Sequence, residues 1–401
     1  MIVLVLNCGS SSLKYQLFDM KDESVMAKGL VEKIGVSGSK AKLTHQKTGA
    51  EKYVVEEDIP NHTKAIAMVV EALTSKKHGV ISDMNEIGVI GHRVVHGGPH
   101  FTSSVLITDD VMEELERVID LAPLHNPPAL IGMKACMEIM PGKPMVDVFD
   151  TAFHQTMEAD AYIYALPYKY YEKYSIRRYG AHGTSHRYVS YRVAEMMGIP
   201  VESFKAITCH LGNGSSLAAV KGGKVVNTSM GFTPLAGVIM GTRTGDIDPA
   251  VVTYIMGKEG LSADEMNHLL NKQSGLLGVS GVSSDLRDVE KAAADGNKRA
   301  ELSINMLNLS IARFIGSYMV ELGGVDVLVF TAGIGENSVE TRAAICEYLA
   351  PFGLELDEEA NNCRGIEREI TKPGSKIRAF IVPTNEELMI ARDSMQIVSH
   401  S

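Results

Sequence analysis

Val3-Leu4-Val5-Leu6-Asn7-Cys8-Gly9-Ser10-Ser11-Ser12-Leu13-Lys14-Tyr15-Gln16-Leu17-Phe18 has a counterpart far downstream in Ala206-Ile207-Thr208-Cys209-His210-Leu211-Gly212-Asn213-Gly214-Ser215-Ser216-Leu217-Ala218-Ala219-Val220. Each begins as an apolar run, passes through a short glycine- and serine-rich turn and returns to an apolar run, a pattern that predicts strand, turn, strand. In the second copy Gly222-Gly223 and Val225-Val226 add another turn and a third strand. Glycine lets backbone N–H groups approach a ligand closely and serine adds hydroxyls, which suits phosphate oxygens. One such hairpin in each half predicts a duplicated architecture that grips a nucleotide from both sides.

Outward from these hairpins, strands and helices alternate. Helical spacing is read over residues 111–120 and 185–197, and short apolar runs at 145–149 and 325–330 read as strands ending in polar turns. The class is therefore α/β. At 401 residues the chain exceeds what one core usually organises, so two domains are expected: residues 1–150 with 386–401, and residues 151–385. Ligands in such folds sit at the carboxyl ends of strands, which draws attention to Asp150 and to residues 331–337.

A net charge of -10 argues against nucleic acid, whose phosphates need a basic field. No signal segment or membrane span is read, so a membrane is not an expected partner. Five scattered cysteines without a CxxC pair argue against a zinc site or a disulfide framework and for a reducing compartment, the cytoplasm.

No GxxxxGK[ST] run is present, so the phosphate cradle is of another kind. Arg93, in Gly91-His92-Arg93-Val94-Val95-His96-Gly97-Gly98, and Arg243, in Met240-Gly241-Thr242-Arg243-Thr244-Gly245, both lie among glycines. A guanidinium fork there matches carboxylate and phosphoryl groups. In His182-Gly183-Thr184-Ser185-His186, Thr184 or Ser185 reads as a helix cap, leaving His182 before it to face a ligand. Ser284-Asp285-Leu286-Arg287-Asp288 reads equally well as a helix start. Gly333-Ile334-Gly335-Glu336-Asn337 lacks the third glycine of a dinucleotide fingerprint. Pro383-Thr384-Asn385-Glu386-Glu387 reads as a helix entry with a carboxylate suited to Mg2+, which needs only one or two from the protein.

Taken in order, these stretches, with Leu121-Ala122-Pro123-Leu124-His125-Asn126-Pro127 and Val148-Phe149-Asp150-Thr151-Ala152-Phe153-His154, resemble the acetate kinase family over essentially the whole chain. The resemblance implies a two-domain duplicated actin-like (ribonuclease H-like) fold with an interdomain cleft, in the superfamily that also holds sugar kinases and heat-shock ATPases. It further implies reversible, Mg-dependent in-line transfer of the ATP γ-phosphoryl to acetate, giving acetyl phosphate and ADP, with Mn2+ able to replace Mg2+ and a homodimer as the assembly. Carried over by position, Asn7, Ser10, Ser12 and Lys14 meet the phosphate or metal end. His210, Leu211, Gly212, Asn213 and Gly214 hold phosphates, while Asp285, Leu286, Arg287, Gly333, Ile334, Gly335, Glu336 and Asn337 resemble the adenosine site. Asp150, His182, Arg243, Arg93 and His125 form the catalytic set, and Asn7, Asp150 and Glu386 the metal set. Arg93, Val95, Leu124, Ala181 and Pro234 would form the acyl pocket. Ala181 departs from the family, which usually carries phenylalanine there, so a propionate or butyrate kinase is the nearest alternative. An actin- or chaperone-like ATP-driven binding protein is the alternative from another class.

Overall fold

A computed structural model describes residues 1–123 and 125–400. The chain divides into two compact units, Met1–Ala152 with Asn385–Ser401, and Phe153–Thr384.

In the first unit, β1 (Ile2–Cys8), β2 (Ser12–Asp19), β3 (Ser24–Glu32), β4 (Ala41–Lys47) and β5 (Tyr53–Glu57) form an antiparallel run. β6 (Ile87–Val94) and β8 (Met145–Phe149) then continue the sheet from β1 in parallel, and β7 (Val105–Leu106) closes its edge, giving the order β5-β4-β3-β2-β1-β6-β8-β7. One face is covered by the helices His62–Thr74 and Asn126–Ile139, whose Ala65, Ile66, Val69 and Cys136 share a core with Leu4, Leu6 and Leu13. The other face carries the C-terminal helix Glu386–His400. Gly91 lets that helix in: a Cβ there would meet Ser394 Oγ at 2.5 Å and Ile390 at 2.7 Å, closer than real side chains sit.

The second unit repeats the scheme. β9 (Lys205–Leu211), β10 (Ser215–Lys221) and β11 (Lys224–Thr228) are antiparallel, β12 (Val327–Thr331) and β14 (Arg378–Ile381) run parallel from β9, and β13 (Arg368–Glu369) forms the edge. The order β11-β10-β9-β12-β14 thus matches β3-β2-β1-β6-β8 strand for strand, so the two glycine-serine turns occupy equivalent places. The core of this unit is built from the 25-residue helix Lys298–Leu322, through Leu307, Ile311 and Ile315, against Ile207, Leu217 and Leu328.

Three local expectations shift. The helix expected over 111–120 is Asp109–Arg117, begun by a Thr108 cap whose side chain accepts from the Val111 amide. The strand expected at 325–330 is Val327–Thr331. Thr184 and Ser185 are not caps: the helix runs Gly183–Met197 and its cap residue is His182 itself, which makes no side-chain cap bond.

Candidate functional site

At the first hairpin, β1 and β2 pair Asn7 opposite Lys14. The intervening turn is closed by the Gly9 amide donating to the Ser12 carbonyl at 2.8 Å. A Cβ on Gly9 would lie 2.8 Å from Ser12 Oγ, so glycine is needed for the hydroxyl to sit over the turn. The Gly9 carbonyl is held by His62 Nε2 at 2.8 Å, a contact from the helix behind the turn that no sequence pattern announced.

Asp150 follows β8, and its amide donates to the Val94 carbonyl at 2.9 Å, which sets it beside the end of β6. Arg93 leaves β6 on the face of the C-terminal helix and grips Asp150 with both Nη2 (2.7 Å to Oδ2) and Nε (3.1 Å to Oδ2, 3.3 Å to Oδ1). The Asp150 carboxylate holds the Arg93 guanidinium above its ordinary range against the opposing effect of burial, and Glu386 adds to this. Glu386 opens the C-terminal helix and is itself desolvated. Burial pushes its carboxyl up to about 7, with Arg93 pulling down and Asp150 pushing up. Asn7, Lys14, Arg93, Glu386 and Glu387 line one polar recess floored by Val5 and Ile390, and Lys14 is paired with Glu387.

Magnesium prefers oxygen ligands and completes its shell with waters and substrate oxygens. Two desolvated carboxylates that repel each other, Asp150 and Glu386, with the Asn7 amide in the recess, fit that chemistry. Among the described residues no group of three or more His, Cys, Asp or Glu side chains converges as a cation cage, and the groups that could hold such an ion in this unit are these two carboxylates with the Asn7 amide.

His125 stands exposed at the start of the helix Asn126–Ile139. Its neighbour Asn126 is fully buried and clasps the His96 peptide from both sides, donating to its carbonyl at 2.8 Å and accepting from its amide at 3.3 Å. Val95 is half-buried, and Leu124 lies outside the described residues.

In the second unit the Gly212-Asn213-Gly214 turn is closed by Ser215, whose hydroxyl donates to the Gly212 carbonyl at 3.0 Å. Two side chains converge above it: a Cβ on Gly214 would lie 3.4 Å from Arg243 Nη1 and 3.6 Å from His182 Nε2. The His182 ring stacks on His210 with centroids 4.1 Å apart, and its backbone is left-handed at φ 59°, a conformation costly for a side chain with Cβ and often kept where function requires it. Arg243 Nη1 donates to the Pro234 carbonyl at 3.1 Å and lies 3.7 Å from Met240 Sδ. Burial lowers its affinity for the proton, and no carboxylate pairs with it among the described residues. Ala181 is buried against Met230 and Met240.

The two stretches likened to an adenosine site differ in character. Asp285 caps the helix Leu286–Ala294, accepting from the Arg287 amide at 3.0 Å and pairing with the Arg287 guanidinium at 2.5 Å, while Leu286 is buried in the core. The helix-start reading of this stretch is therefore correct as far as local structure goes. Gly333, Ile334, Gly335, Glu336 and Asn337 form the turn of helix after β12. Glu336 stabilises that turn by accepting from the Ala332 amide at 2.8 Å and the Thr384 amide at 3.2 Å. Behind it the fully buried Arg342 donates to the Gly335 carbonyl at 3.0 Å and to the Asn361 and Cys363 carbonyls at 2.8 Å each. Nothing in the sequence around Arg342 signalled that role.

A duplicated α/β scaffold with a glycine-serine turn in each half, a desolvated arginine and a half-buried histidine over one turn, and carboxylates beside the other defines a phosphoryl-transfer enzyme. The chain belongs to the acetokinase family, whose model matches residues 2–392. It is 59% identical to the acetate kinase of Treponema denticola over 99% of this chain and all of that one. Among solved structures it is similar to acetate kinase of Porphyromonas gingivalis (TM-score 0.95, 49% identity, 99% of both chains) and to a propionate kinase of Francisella tularensis (TM-score 0.90, 42% identity, 99% of both chains).

Proposed function

We infer that the chain is an acetate kinase, transferring the γ-phosphoryl of ATP to acetate with Mg2+ and returning it from acetyl phosphate to ADP. The observation that carries this reading is the pair Arg243 and His182 converging over Gly214, a guanidinium and an imidazole placed above a turn with the chemistry of a phosphate cradle. A carboxylate is ionised at neutral pH, so the acceptor needs no general base and catalysis reduces to positioning and charge stabilisation. Arg243 and His182 offer donors to the equatorial oxygens of the phosphoryl group. Arg93 already commits Nε and Nη2 to Asp150, so acetate would meet its remaining edge, Nη1. Asp150 and Glu386 would hold Mg2+, which when bound neutralises charge on the transferred phosphates. We place Asp150 as a metal and Arg93 anchor rather than a proton carrier, because an ionised acceptor leaves it no proton to take.

Asp150→Asn and Glu386→Ala are each expected to raise the Mg2+ concentration needed for half-maximal rate more than they raise KM for acetate. A titration of rate against Mg2+ that superimposes on the parent's would remove both from the metal site.

Acyl length turns on Ala181, which packs beside two methionines. A methyl where an aromatic ring would stand leaves room for further methylenes, each worth roughly 1–3 kcal/mol of discrimination, and flexible methionines can occupy part of it. Rates across formate, acetate, propionate and butyrate test the acceptor assignment. In Ala181→Phe the ratio of kcat/KM for propionate over acetate is expected to fall with KM for ATP nearly unchanged. The added ring must displace Met230 and Met240, at a cost of about 1–3 kcal/mol in stability. Ratios equal within error would take Ala181 out of the pocket.

A homodimer and a cytoplasmic setting complete the reading. The helix Pro249–Glu259 is largely apolar, yet none of its residues is buried within the chain, and Tyr254 is 66% exposed. Such a surface favours a second copy as its cover. Light scattering is expected to give twice the mass of the chain, and a monomer at micromolar concentration would refute it. All five cysteines are unpaired, in keeping with a reducing compartment, and among the described residues no helix is long and apolar enough to cross a membrane.

A further inference from the structure

Behind His182 runs a chain of hydroxyls and imidazoles that the proposed chemistry does not use. Ser216, fully buried in β10, places its Oγ 2.9 Å from His182 Nδ1 and 2.7 Å from His186 Nε2. His186, one helical turn after His182 and also fully buried, sets its Nδ1 2.7 Å from Thr208 Oγ1. Thr208 Oγ1 in turn lies 3.5 Å from the Ala218 carbonyl, to which it donates.

The proton order along this chain follows from what each atom can do. A carbonyl only accepts, so the Thr208 proton points to Ala218 and its oxygen accepts from His186 Nδ1–H. Burial, reinforced by His154 and His210 nearby, keeps the His186 ring neutral, so Nε2 carries no proton and accepts from the Ser216 hydroxyl. Ser216 has one proton and has spent it, so its oxygen accepts from His182 Nδ1–H. The reverse order would make the same three short bonds and lose the one to Ala218.

We propose that Ser216 and His186 are positioning residues that hold His182 in the Nδ1-protonated form, so that His182 Nε2 donates to the transferring phosphoryl group only when the ring is an imidazolium. The neutral ring offers that group a lone pair, which repels an anion. The imidazolium offers Nε2–H while keeping its Nδ1–H on Ser216, so no bond behind the ring is rearranged as charge develops. The groups facing the His182 ring in its own unit include Arg243 above Gly214, the stacked His210 ring, and His186 through Ser216. The relay also fixes the ring of a residue whose left-handed backbone would otherwise let it relax.

This inference rests on the reading of His182 as a donor to the phosphoryl group, and the test separates the two. Magic-angle-spinning 15N spectra of the full-length, histidine-labelled protein, with the His182 signals assigned by their loss in His182→Gln, are expected to show neutral His182 protonated on Nδ1. In Ser216→Ala the Nε2-protonated form should appear, so the neutral ring can now donate weakly. There kcat should fall roughly 10- to 100-fold where the imidazolium, no longer held through Nδ1–H, carries the parent's turnover; it should depend less on pH than the parent's, and KM for ATP should be nearly unchanged. Ser216→Thr, which keeps the hydroxyl, should restore the parental tautomer. A parent spectrum with His182 protonated on Nε2 overturns the inference without any variant having to fold, as does Ser216→Ala with parental tautomer and kcat. Parental kcat in His182→Gln would overturn the donor reading beneath it, whatever the tautomer.

Discussion

Arg243→Leu is expected to lower kcat by roughly 10³- to 10⁵-fold, the range in which an arginine that stabilises a transferring phosphoryl group usually falls. The guanidinium is desolvated, touches a backbone carbonyl and a thioether, and has no carboxylate partner among the described residues. A cation kept in that state gains most when negative charge develops in front of it, so its contribution belongs to the transition state rather than to ATP binding. Removing it leaves no buried anion behind, and the thermal midpoint should move little. KM for ATP is expected to change by less than kcat does. A variant with parental kcat would remove Arg243 from the reaction, and a loss confined to KM would reassign it to ground-state binding.

Arg93→Leu is expected to be damaging twice over. Its partner Asp150 has a side chain only 2% exposed, and removing one member of a buried ion pair costs about 3–5 kcal/mol. Glu386, already desolvated and raised by Asp150, loses the guanidinium that draws its carboxyl back down. Acetate-dependent turnover should fall with it, because the same guanidinium is proposed to orient the acceptor. Arg93→Leu with Asp150→Asn separates the effects: it should recover a large part of the stability in urea unfolding and none of the activity. Arg93→Leu alone with parental stability would show that the pair contributes nothing net to the fold.

The duplicated hairpin was legible because glycine and serine between apolar runs leave few structures open, and the matching strand orders of the two sheets bear out the duplication. Strands β3 to β5 were not read: β4 and β5 alternate in burial, but the stretch is rich in polar and charged residues and no long apolar run marks it. The helix after His182 began earlier than read. A capping hydroxyl is an ordinary start signal, but here Ser185 is drawn instead to His210 Nδ1 at 2.8 Å and to Thr384 at 2.8 Å, leaving a left-handed histidine to open the helix. His182, His186, His210 and Ser216 all stood in stretches singled out by sequence. Their coupling did not, because it joins residues 24 to 34 positions apart across a helix and a hairpin, and nothing local encodes it. The same holds for Arg342 beneath Gly335 and His62 beneath Gly9, single polar side chains that hold the carbonyls of those glycines.

The most direct test follows ATP and acetate together. ADP release is measured in a coupled assay with and without acetate, while hydroxylamine traps any acyl phosphate as the hydroxamate. Release of ADP that depends on acetate and matches the trapped hydroxamate mole for mole is the predicted result. Turnover of ATP indifferent to every short carboxylate, with no trappable acyl phosphate, would contradict the assignment and favour an ATP-driven binding protein on the same fold.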